Sequence, residues 1–326
     1  MSDSADRLNF GDCIGCGLCI LGCPAYEETG FDVLTARGRN KALQSGIAAP
    51  EMVEPIWACT MCGYCDAICP NHVNNVEIVL DLRRQLLTGE HTNPPLRGVA
   101  TPQCAQVVRG FSPAVSGTPE GQHYGRSQFR GSPASRPLVL GCTIRERAPH
   151  LIPSITEFLR RIGRPSGPVD DSCCGSLDVE AGRALPARVK AGVVADPICL
   201  EQYDADFLGL LAMQHLDTFE LKPPFYYFAP HRIVNRDHAR AYPLYDALRR
   251  RFSCDMNLDL NRLARSTSAG SVQGLSGRDA RDIPAAVARL LAHSRADRII
   301  TCSPADYLAF TAYSGRETRF ITECLR

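Results

Sequence analysis

The sequence predicts a mixed α+β and α/β architecture, in which a helical, cysteine-rich domain precedes an α/β domain built from a repeated unit. Three observations predict it. Residues 1–87 contain two dense cysteine motifs. Residues 88–136 are rich in Gly, Pro, Ser, Thr and Gln, which is typical of a linker or surface wrap, and Cys104 within them has no neighbouring cysteine. In residues 137–326, short apolar runs alternate with helical patterns.

Composition narrows the class of protein. The chain has 326 residues, 16 cysteines, 44% hydrophobic residues and a formal net charge of +1. This charge gives no indication of a nucleic-acid partner. No apolar run reaches the roughly 20 residues of a membrane helix, and the polar first residues lack a signal-peptide core. We therefore expect a cytoplasmic protein, with reduced thiols that bind metal, which reaches the inner membrane only through a partner.

The two N-terminal cysteine motifs share one spacing. Each has three cysteines at two-residue gaps and a fourth before proline: Cys13, Cys16, Cys19 and Cys23-Pro24, then Cys59, Cys62, Cys65 and Cys69-Pro70. This is the cysteine run of bacterial ferredoxins, in which the fourth cysteine ligates the other cluster. Residues 1–87 are therefore predicted to be a ferredoxin-like domain with two [4Fe-4S] clusters.

The ligands of each cluster follow from this crossover. Cluster 1 is assigned to Cys13, Cys16, Cys19 and Cys69. Cluster 2 is assigned to Cys59, Cys62, Cys65 and Cys23. Gly15, Gly17 and Gly63 let the backbone wrap tightly and direct N–H groups at sulfur. A pair of structural zinc sites is the alternative, but zinc has no use for the third cysteine or for the repeated Cys-Pro.

Residues 137–326 are predicted to form a mainly parallel sheet with helices. The predicted elements are a buried strand and turn at 137–142, a helix at 152–162 that ends at Gly163, a helix at 283–293 and a strand at 298–302. Residues 193–199 and 299–305 each have the pattern of a strand entering a polar turn. This weak repeat predicts two copies of one α/β unit related by a pseudo-twofold, at about 137–222 and 223–326.

Four cysteines of the first copy are candidates for a third metal centre, namely Cys142, Cys173, Cys174 and Cys199. Adjacent cysteines do not readily bond each other, but both can bind one cluster, and Gly175 lets the chain approach closely. The alternative is that Cys142 and Cys199 are ordinary buried cysteines.

Together these motifs resemble the iron–sulfur electron-transfer family that includes heterodisulfide reductase, the iron–sulfur subunits of glycolate oxidase and anaerobic glycerol-3-phosphate dehydrogenase, and lactate-utilisation proteins. Arg37-Gly38-Arg39 resembles the family's Arg-Gly-Arg between the two motifs. The second half resembles the family's CCG domain, which normally occurs twice, with Cys, Cys-Cys-Gly and Cys-x-x-Cys in each copy. In heterodisulfide reductase each complete copy holds a noncubane [4Fe-4S] cluster. In the first copy here, Asp196 replaces one cysteine of the last motif.

The second copy departs further from the family pattern. Ala229-Pro230-His231 stands where the family has Pro-Cys-His, Ser268-Ala269-Gly270 stands where it has Cys-Cys-Gly, and Cys302 alone remains of the last motif. The resemblance therefore leaves the third centre open between a noncubane cluster, a cubane and a site with Asp196 as an oxygen ligand; in the first two cases Asp196 is a bystander. Two interpretations remain for His231, Cys254, Cys302 and Cys324. They form a separate small metal site, or they are remnants of the family motif and core residues.

The resemblance implies an electron-transfer subunit of an oxidoreductase complex, without catalysis of its own. It would pass electrons between a flavoprotein dehydrogenase and a quinone or other redox carrier. The expected partners are the flavoprotein and either a membrane quinone-reactive subunit or another iron–sulfur protein. No G-x-G-x-x-G follows a predicted strand, so a flavin would lie on another chain. Two alternatives remain: a catalytic subunit, similar to heterodisulfide reductase, that reduces a disulfide at the CCG centre, and a non-redox scaffold or iron–sulfur sensor.

Overall fold

The computed structural model describes residues 8–88, 137–164, 167, 169–170, 173–182, 189–269 and 282–326. The predicted linker at 88–136, which includes Cys104, lies outside these residues except for its first position. Gly270 of the second copy also lies outside them.

The N-terminal part is helical. Its helices are α1 (Pro24–Thr29), α2 (Ala36–Gln44), α3 (Val53–Trp57), α4 (Tyr64–Ala67) and α5 (Asn75–Thr88). Short 3-10 turns lie at Asn9–Asp12, Leu18–Ile20, Asp32–Leu34 and Ala49–Met52. The first Cys-Pro step starts α1, because proline fits the first helical position, where no N–H is needed. The Thr35 side chain caps α2 by accepting the Gly38 N–H.

The C-terminal part alternates strands and helices, as the sequence predicts. Its first half contains β1 (Leu138–Val139), α6 (Cys142–Arg147), α7 (Ile152–Arg161), β2 (Val169–Asp170), α8 (Ser176–Glu180), β3 (Val189–Val194), β4 (Tyr203–Phe207) and α9 (Leu208–Gln214). Its second half contains β5 (Tyr226–Phe228), α10 (His231–Arg236), α11 (His238–Phe252), β6 (Asp255–Met256), α12 (Ile283–Leu291), β7 (Arg298–Thr301), α13 (Pro304–Tyr313) and β8 (Glu317–Phe320). Further 3-10 turns lie at Pro149–Leu151, Leu200–Gln202, Leu216–Thr218 and Ile321–Cys324.

The two halves have the same sheet topology. The first sheet has the strand order β2-β1-β3-β4 and the second has β6-β5-β7-β8, and all the pairings are parallel. Each half therefore places its first strand beside its third, with the second and fourth strands at the edges. The mixed α/β fold class is confirmed, and the matching order is the arrangement that a repeated unit requires.

Individual elements lie close to their predicted positions. The helix predicted at 152–162 ends at Arg161, and Gly163 follows it with φ +71°, in the left-handed region that favours glycine. The helix predicted at 283–293 ends earlier, at Leu291. Asp282 starts that helix by accepting the Ala285 N–H at 2.8 Å.

The N-terminal helices pack directly on the C-terminal part. A shared apolar cluster joins buried side chains of both parts: Ile56, Trp57, Val73, Ile78, Leu82 and Leu86 with Cys142, Leu177 and Ala181. A second contact is polar, since the Tyr64 hydroxyl donates to Asp259 Oδ2 at 2.5 Å. The second cysteine motif therefore lies against the C-terminal part.

None of the helices within the described residues combines the length and the apolar character that crossing a bilayer requires.

Candidate iron–sulfur sites

The predicted ligands of cluster 1 surround one pocket. Cys13, Cys16, Cys19 and Cys69 line a space of about 370 Å³, and Cys65 also reaches it. The pocket thus combines three cysteines of the first motif with the last cysteine of the second, which is the combination that the crossover predicts. Gly15 and Gly17 have φ of +74° and +84°, so the loop winds through backbone conformations that other residues rarely adopt.

Helix α2 holds this loop in place through side-chain contacts with main-chain carbonyls. Lys41 Nζ and Gln44 Nε2 both donate to the Cys13 carbonyl at 3.0 Å, and Arg37 Nε donates to the Gly15 carbonyl at 3.0 Å. Arg37 also forms an ion pair with Asp32. The first arginine of the Arg-Gly-Arg motif therefore positions the first cysteine loop.

The glycine of that motif allows a close backbone approach. A Cβ at Gly38 would lie 2.4 Å from the Asp32 carbonyl oxygen and 2.6 Å from Val33 Cα, both of them main-chain atoms. No flexible side chain can move aside there.

We therefore expect Gly38→Ala to displace α2 and to lower the free energy of unfolding by about 2–3 kcal/mol, the cost of overpacking. The denaturant midpoint for loss of iron–sulfur absorbance measures this effect. Gly11→Ala is the control, since no atom lies within 4 Å of a Cβ at Gly11. Equal midpoints for the two variants would refute the steric explanation.

The predicted ligands of cluster 2 also lie near one another. Burial, together with the neighbouring Cys62 and Cys59, raises the pKa of the Cys23 thiol to about 12. Burial likewise raises the pKa of Cys65, with contributions from Asp66, Cys59 and Cys62. Cys23 therefore lies beside the second motif, although the chain places it at the end of the first.

These raised pKa values bear on cluster loading. Thiols bind iron as thiolates, so loading releases protons, and burial makes the empty, ionised site unfavourable. Main-chain N–H groups offset part of this cost, since a hydrogen bond from the Tyr26 backbone lowers the pKa of Cys23. The Val73 N–H donates to Cys69 Sγ at 3.4 Å. Such N–H groups stabilise a cluster-bound sulfur in the same way.

The sulfur arrangement fits clusters better than single ions. Within the described residues, no three His, Cys, Asp or Glu side chains are close enough to hold one metal ion. Zinc gathers four ligands within about 2.3 Å of one centre, whereas each cysteine of a cubane binds a different iron. The donor set therefore favours [4Fe-4S] clusters over zinc.

The cysteines proposed for the third centre are only partly brought together. Cys142, Cys174 and Cys199 line a pocket of about 530 Å³ together with Asp196. A hydrogen bond with Cys174 and burial raise the pKa of Cys199, and the charges of Cys174, Asp196 and Cys142 raise it further. Cys173 is absent from this lining, and it packs instead on the apolar cluster shared with the N-terminal helices.

The opposite wall of this pocket comes from the second half. Its lining residues there are Pro230, His231, Arg232, Ala269, Ser303, Ala305 and Asp306. Asp306 accepts a hydrogen bond from Thr267, and burial raises its pKa to about 6. Arg232 is buried and forms an ion pair with Glu180. The second half therefore offers oxygen and nitrogen groups where the first offers sulfur.

The other four candidate ligands do not form a metal site in the described residues. Cys254 and Cys302 are buried in the apolar core, and Cys324 packs against that core. The Tyr227 hydroxyl donates to Cys302 Sγ at 3.3 Å. His231 lies apart from them, in the pocket lining. This arrangement supports the interpretation of the three cysteines as remnants and core residues.

Comparison with protein families identifies the N-terminal segment. The family model described as "4Fe-4S dicluster domain" matches residues 9–73, and all eight cysteines of the two motifs fall within this range. This segment is a 4Fe-4S dicluster domain.

Curated relatives match the dicluster domain and its neighbourhood. The chain is 32% identical over 75 residues to the fumarate reductase iron–sulfur subunit of Escherichia coli O6:H1, which covers 20% of this chain and 31% of the relative. It is 31% identical over 80 residues to one subunit of the ferredoxin/F420H2-dependent CoB–CoM heterodisulfide reductase of Methanosarcina acetivorans, with 24% of this chain and 48% of the relative covered. It is 31% identical over 87 residues to the probable glycolate oxidase iron–sulfur subunit of Bacillus subtilis, with 25% and 19% covered.

These matches support an iron–sulfur electron-transfer role, and each covers only about a quarter of this chain or less. The chain spans about a third of the length of the fumarate reductase subunit that it matches. No solved structure matches the chain significantly.

Sequence reasoning missed two residues, Arg83 at the dicluster domain and Asp306 in the pocket of the third centre. Arg83 is fully buried and donates to the carbonyls of Cys59 at 2.7 Å and Glu180 at 2.6 Å, so it links the second motif to α8. Asp306 lies across the pocket from Asp196. An arginine in an amphipathic helix and an aspartate in a first turn are common surface residues, so neither carries a sequence signal.

Proposed function

We propose that the chain is an electron-transfer subunit that passes electrons between a flavoprotein dehydrogenase and a quinone or other redox carrier. One observation carries this proposal: the second motif of the dicluster domain lies against the helix that lines the third pocket. Asn235 in α10 donates to the Cys62 carbonyl at 3.2 Å, and Arg236 donates to the Met61 carbonyl at 2.5 Å. His231 and Arg232, at the start of α10, line the pocket itself.

This contact supports an order for the redox centres. The Cys16 side of the first motif is exposed, whereas Cys62 is buried against the C-terminal part. Cluster 1 would exchange electrons with an outside partner, cluster 2 would relay them, and the Cys142, Cys174 and Cys199 pocket would be the other end. The chain itself positions these centres and excludes water from the inner ones. The clusters supply the one-electron chemistry when bound.

An apolar face around the first motif supports partner docking there. Ile14, Leu21, Phe31 and Val33 are exposed by 64%, 58%, 64% and 54%. Large exposed apolar side chains that cluster on a surface commonly mark protein interaction sites. We assign these exposed side chains, of which Ile14 lines the same pocket as the exposed Cys16, to the flavoprotein partner.

A second candidate function is reduction of a disulfide at the third centre. The three cysteines that line one open pocket favour it, because thiols or a cluster at such a position could meet a substrate disulfide. The second half supplies Ser303 and Asp306 there rather than a second cluster ligand set. This makes the electron-transfer proposal the stronger of the two.

We expect the native chain, purified anaerobically, to be reduced rapidly only when the co-purified flavoprotein and its substrate are both present. Leu21→Asp should weaken this reaction about tenfold at limiting partner, since an interface anchor contributes more than 1 kcal/mol. Val169→Asp is the control, because Val169 is an exposed apolar residue of β2 in the C-terminal part, 41% exposed. Robust disulfide turnover by the isolated chain would instead favour the catalytic alternative.

A further inference from the structure

We propose that Asp196 is the fourth ligand of the third centre, beside Cys142, Cys174 and Cys199, and that Cys173 is not a ligand. This inference rests on the third centre of the proposed function and changes its ligand set. It makes the centre a cluster held by three sulfurs and one carboxylate oxygen.

The pocket lining separates Asp196 from Cys173. Cys142, Cys174, Cys199 and Asp196 all line it, and Cys173 does not. The two adjacent cysteines therefore have different surroundings. Cys174 is 3% exposed and packs with Cys199 and Val194 of the first sheet. Cys173 is half-buried on the side of the dicluster domain, where its sulfur accepts the Gly175 N–H at 3.4 Å.

The Asp196 carboxylate is buried, and one of its oxygens lacks a hydrogen-bond donor among the described residues. Its side chain is 2% exposed, and Oδ1 accepts the Ile198 N–H at 3.1 Å. Oδ2 has no hydrogen-bond partner among the described residues. A buried carboxylate oxygen left without a partner is costly, so an oxygen in this position calls for a positive partner. Burial raises the pKa of Asp196, while Thr143 and the charge of Arg232, both in the same pocket lining, lower it, but Arg232 forms its ion pairs with Glu180 and Glu201. Iron in the pocket would be a direct positive partner.

Asp196 and Cys199 both approach the backbone closely at Gly141. A Cβ at this position would lie 3.1 Å from Asp196 Oδ2 and 3.2 Å from Cys199 Sγ. Both donor atoms therefore face the same point of the backbone, immediately before Cys142. Gly141 has φ +81°, and the absence of a side chain keeps this corner open.

The local chain explains why Asp196 and Cys199 converge. Strand β3 ends at Val194, and the following turn closes with a hydrogen bond from the Cys199 N–H to the Asp196 carbonyl at 3.0 Å. The two side chains then leave one tight turn towards the end of β1, where α6 begins with Cys142. Because β1 and β3 are parallel neighbours, both segments lie at the carboxyl ends of the two strands, on the same side of the sheet.

The chemistry of a carboxylate ligand makes the inference testable. Oxygen is a harder ligand than thiolate, so it binds a soft iron–sulfur site less firmly and alters its electronic structure. Each ligand binds as its anion, so the thiols release their protons to solvent when iron binds, and Asp196 binds as the carboxylate. One iron of the centre is therefore distinct from the other three.

The experiment uses the full chain, purified anaerobically, with iron counting and EPR spectroscopy. Cys174→Ser defines the signal of the third centre by its loss. We expect Asp196→Asn to lose at least half of that signal, and Cys173→Ser to retain it. Asp196→Cys should retain the signal with shifted g-values and a lower midpoint potential, and it also tests the site if Asp196→Asn folds poorly. Asp306→Asn is the matched control, an aspartate in the opposite wall of the same pocket, and it should leave the signal in place.

The outcomes separate this inference from the function on which it rests. A third signal that is unchanged in Asp196→Asn and Asp196→Cys but lost in Cys173→Ser overturns the Asp196 assignment and leaves the third centre standing. A native chain with only about eight irons, the content of two cubanes, overturns the third centre and the assignment together. Neither result bears on transfer through the dicluster domain, which the flavoprotein experiment tests.

Discussion

Cys23→Ala is expected to remove cluster 2 and to leave cluster 1 in place, although Cys23 belongs to the first motif. The reason is the crossover: Cys23 lies near Cys59 and Cys62, whose charges raise its pKa, while Cys69 lines the pocket of the first motif. Iron content should fall by about four atoms per chain, the content of one cubane. The remaining cluster should lose the EPR broadening that a nearby paramagnetic cluster causes.

The reciprocal variant provides the control. Cys69→Ala should remove cluster 1 and spare cluster 2, so the two variants should leave different residual spectra and potentials. Cys16→Ala gives a further check, because Cys16 is the exposed ligand of cluster 1. This variant should therefore leave the same residual spectrum as Cys69→Ala. If Cys23→Ala and Cys16→Ala instead leave the same spectrum, each motif keeps its own cluster and the crossover assignment is wrong.

Sequence reasoning succeeded where the information is local. The spacing of eight cysteines within 9–73 predicts the dicluster domain, because three ligands from one loop need fixed two-residue gaps. The end of the helix at 152–162 was predicted because Gly163 permits a left-handed residue there. The alternation of strands and helices predicted parallel sheets, since each crossover returns to the same direction.

Sequence reasoning was less informative where distant segments meet. The Cys173–Cys174 pair predicts two ligands, yet the sequence does not show that Cys174 lines the pocket while Cys173 packs on the apolar cluster shared with the N-terminal helices. The opposite wall of the pocket comes from α10 and α13, which belong to the second half and are far along the chain from the three cysteines. Residues that face each other across this pocket come together through the packing of the two halves, which local sequence patterns do not reveal.

Arg83 shows this limit most clearly. Its guanidinium is fully buried, and its hydrogen bonds go to the carbonyls of Ile56 at 3.2 Å, Cys59 and Glu180. It also lies 4.8 Å from the centre of the Trp57 ring. Burial lowers its pKa to about 10, so it stays protonated at neutral pH. A buried positive charge thus joins the second cysteine motif to the C-terminal part.

We expect Arg83→Gln to lower the free energy of unfolding by about 3 kcal/mol, because it leaves buried carbonyl oxygens without donors. It should also shift the midpoint potential of cluster 2 to a more negative value. A positive charge next to Cys59 favours the reduced cluster, which carries the more negative charge, and its removal withdraws that stabilisation. The potential should be measured by EPR-monitored redox titration, since a purely structural role would not move it.

Arg84→Gln is the matched control, because Arg84 is the next residue of α5 and its side chain is exposed. Solvent screens its charge, so both stability and potential should stay near those of the native chain. Arg83→Lys keeps the charge but lacks the planar fork that reaches several carbonyls, so it should restore more of the potential than of the stability. A cluster 2 potential that is the same in Arg83→Gln, Arg83→Lys and the native chain would limit Arg83 to a packing role at the contact between the dicluster domain and α8.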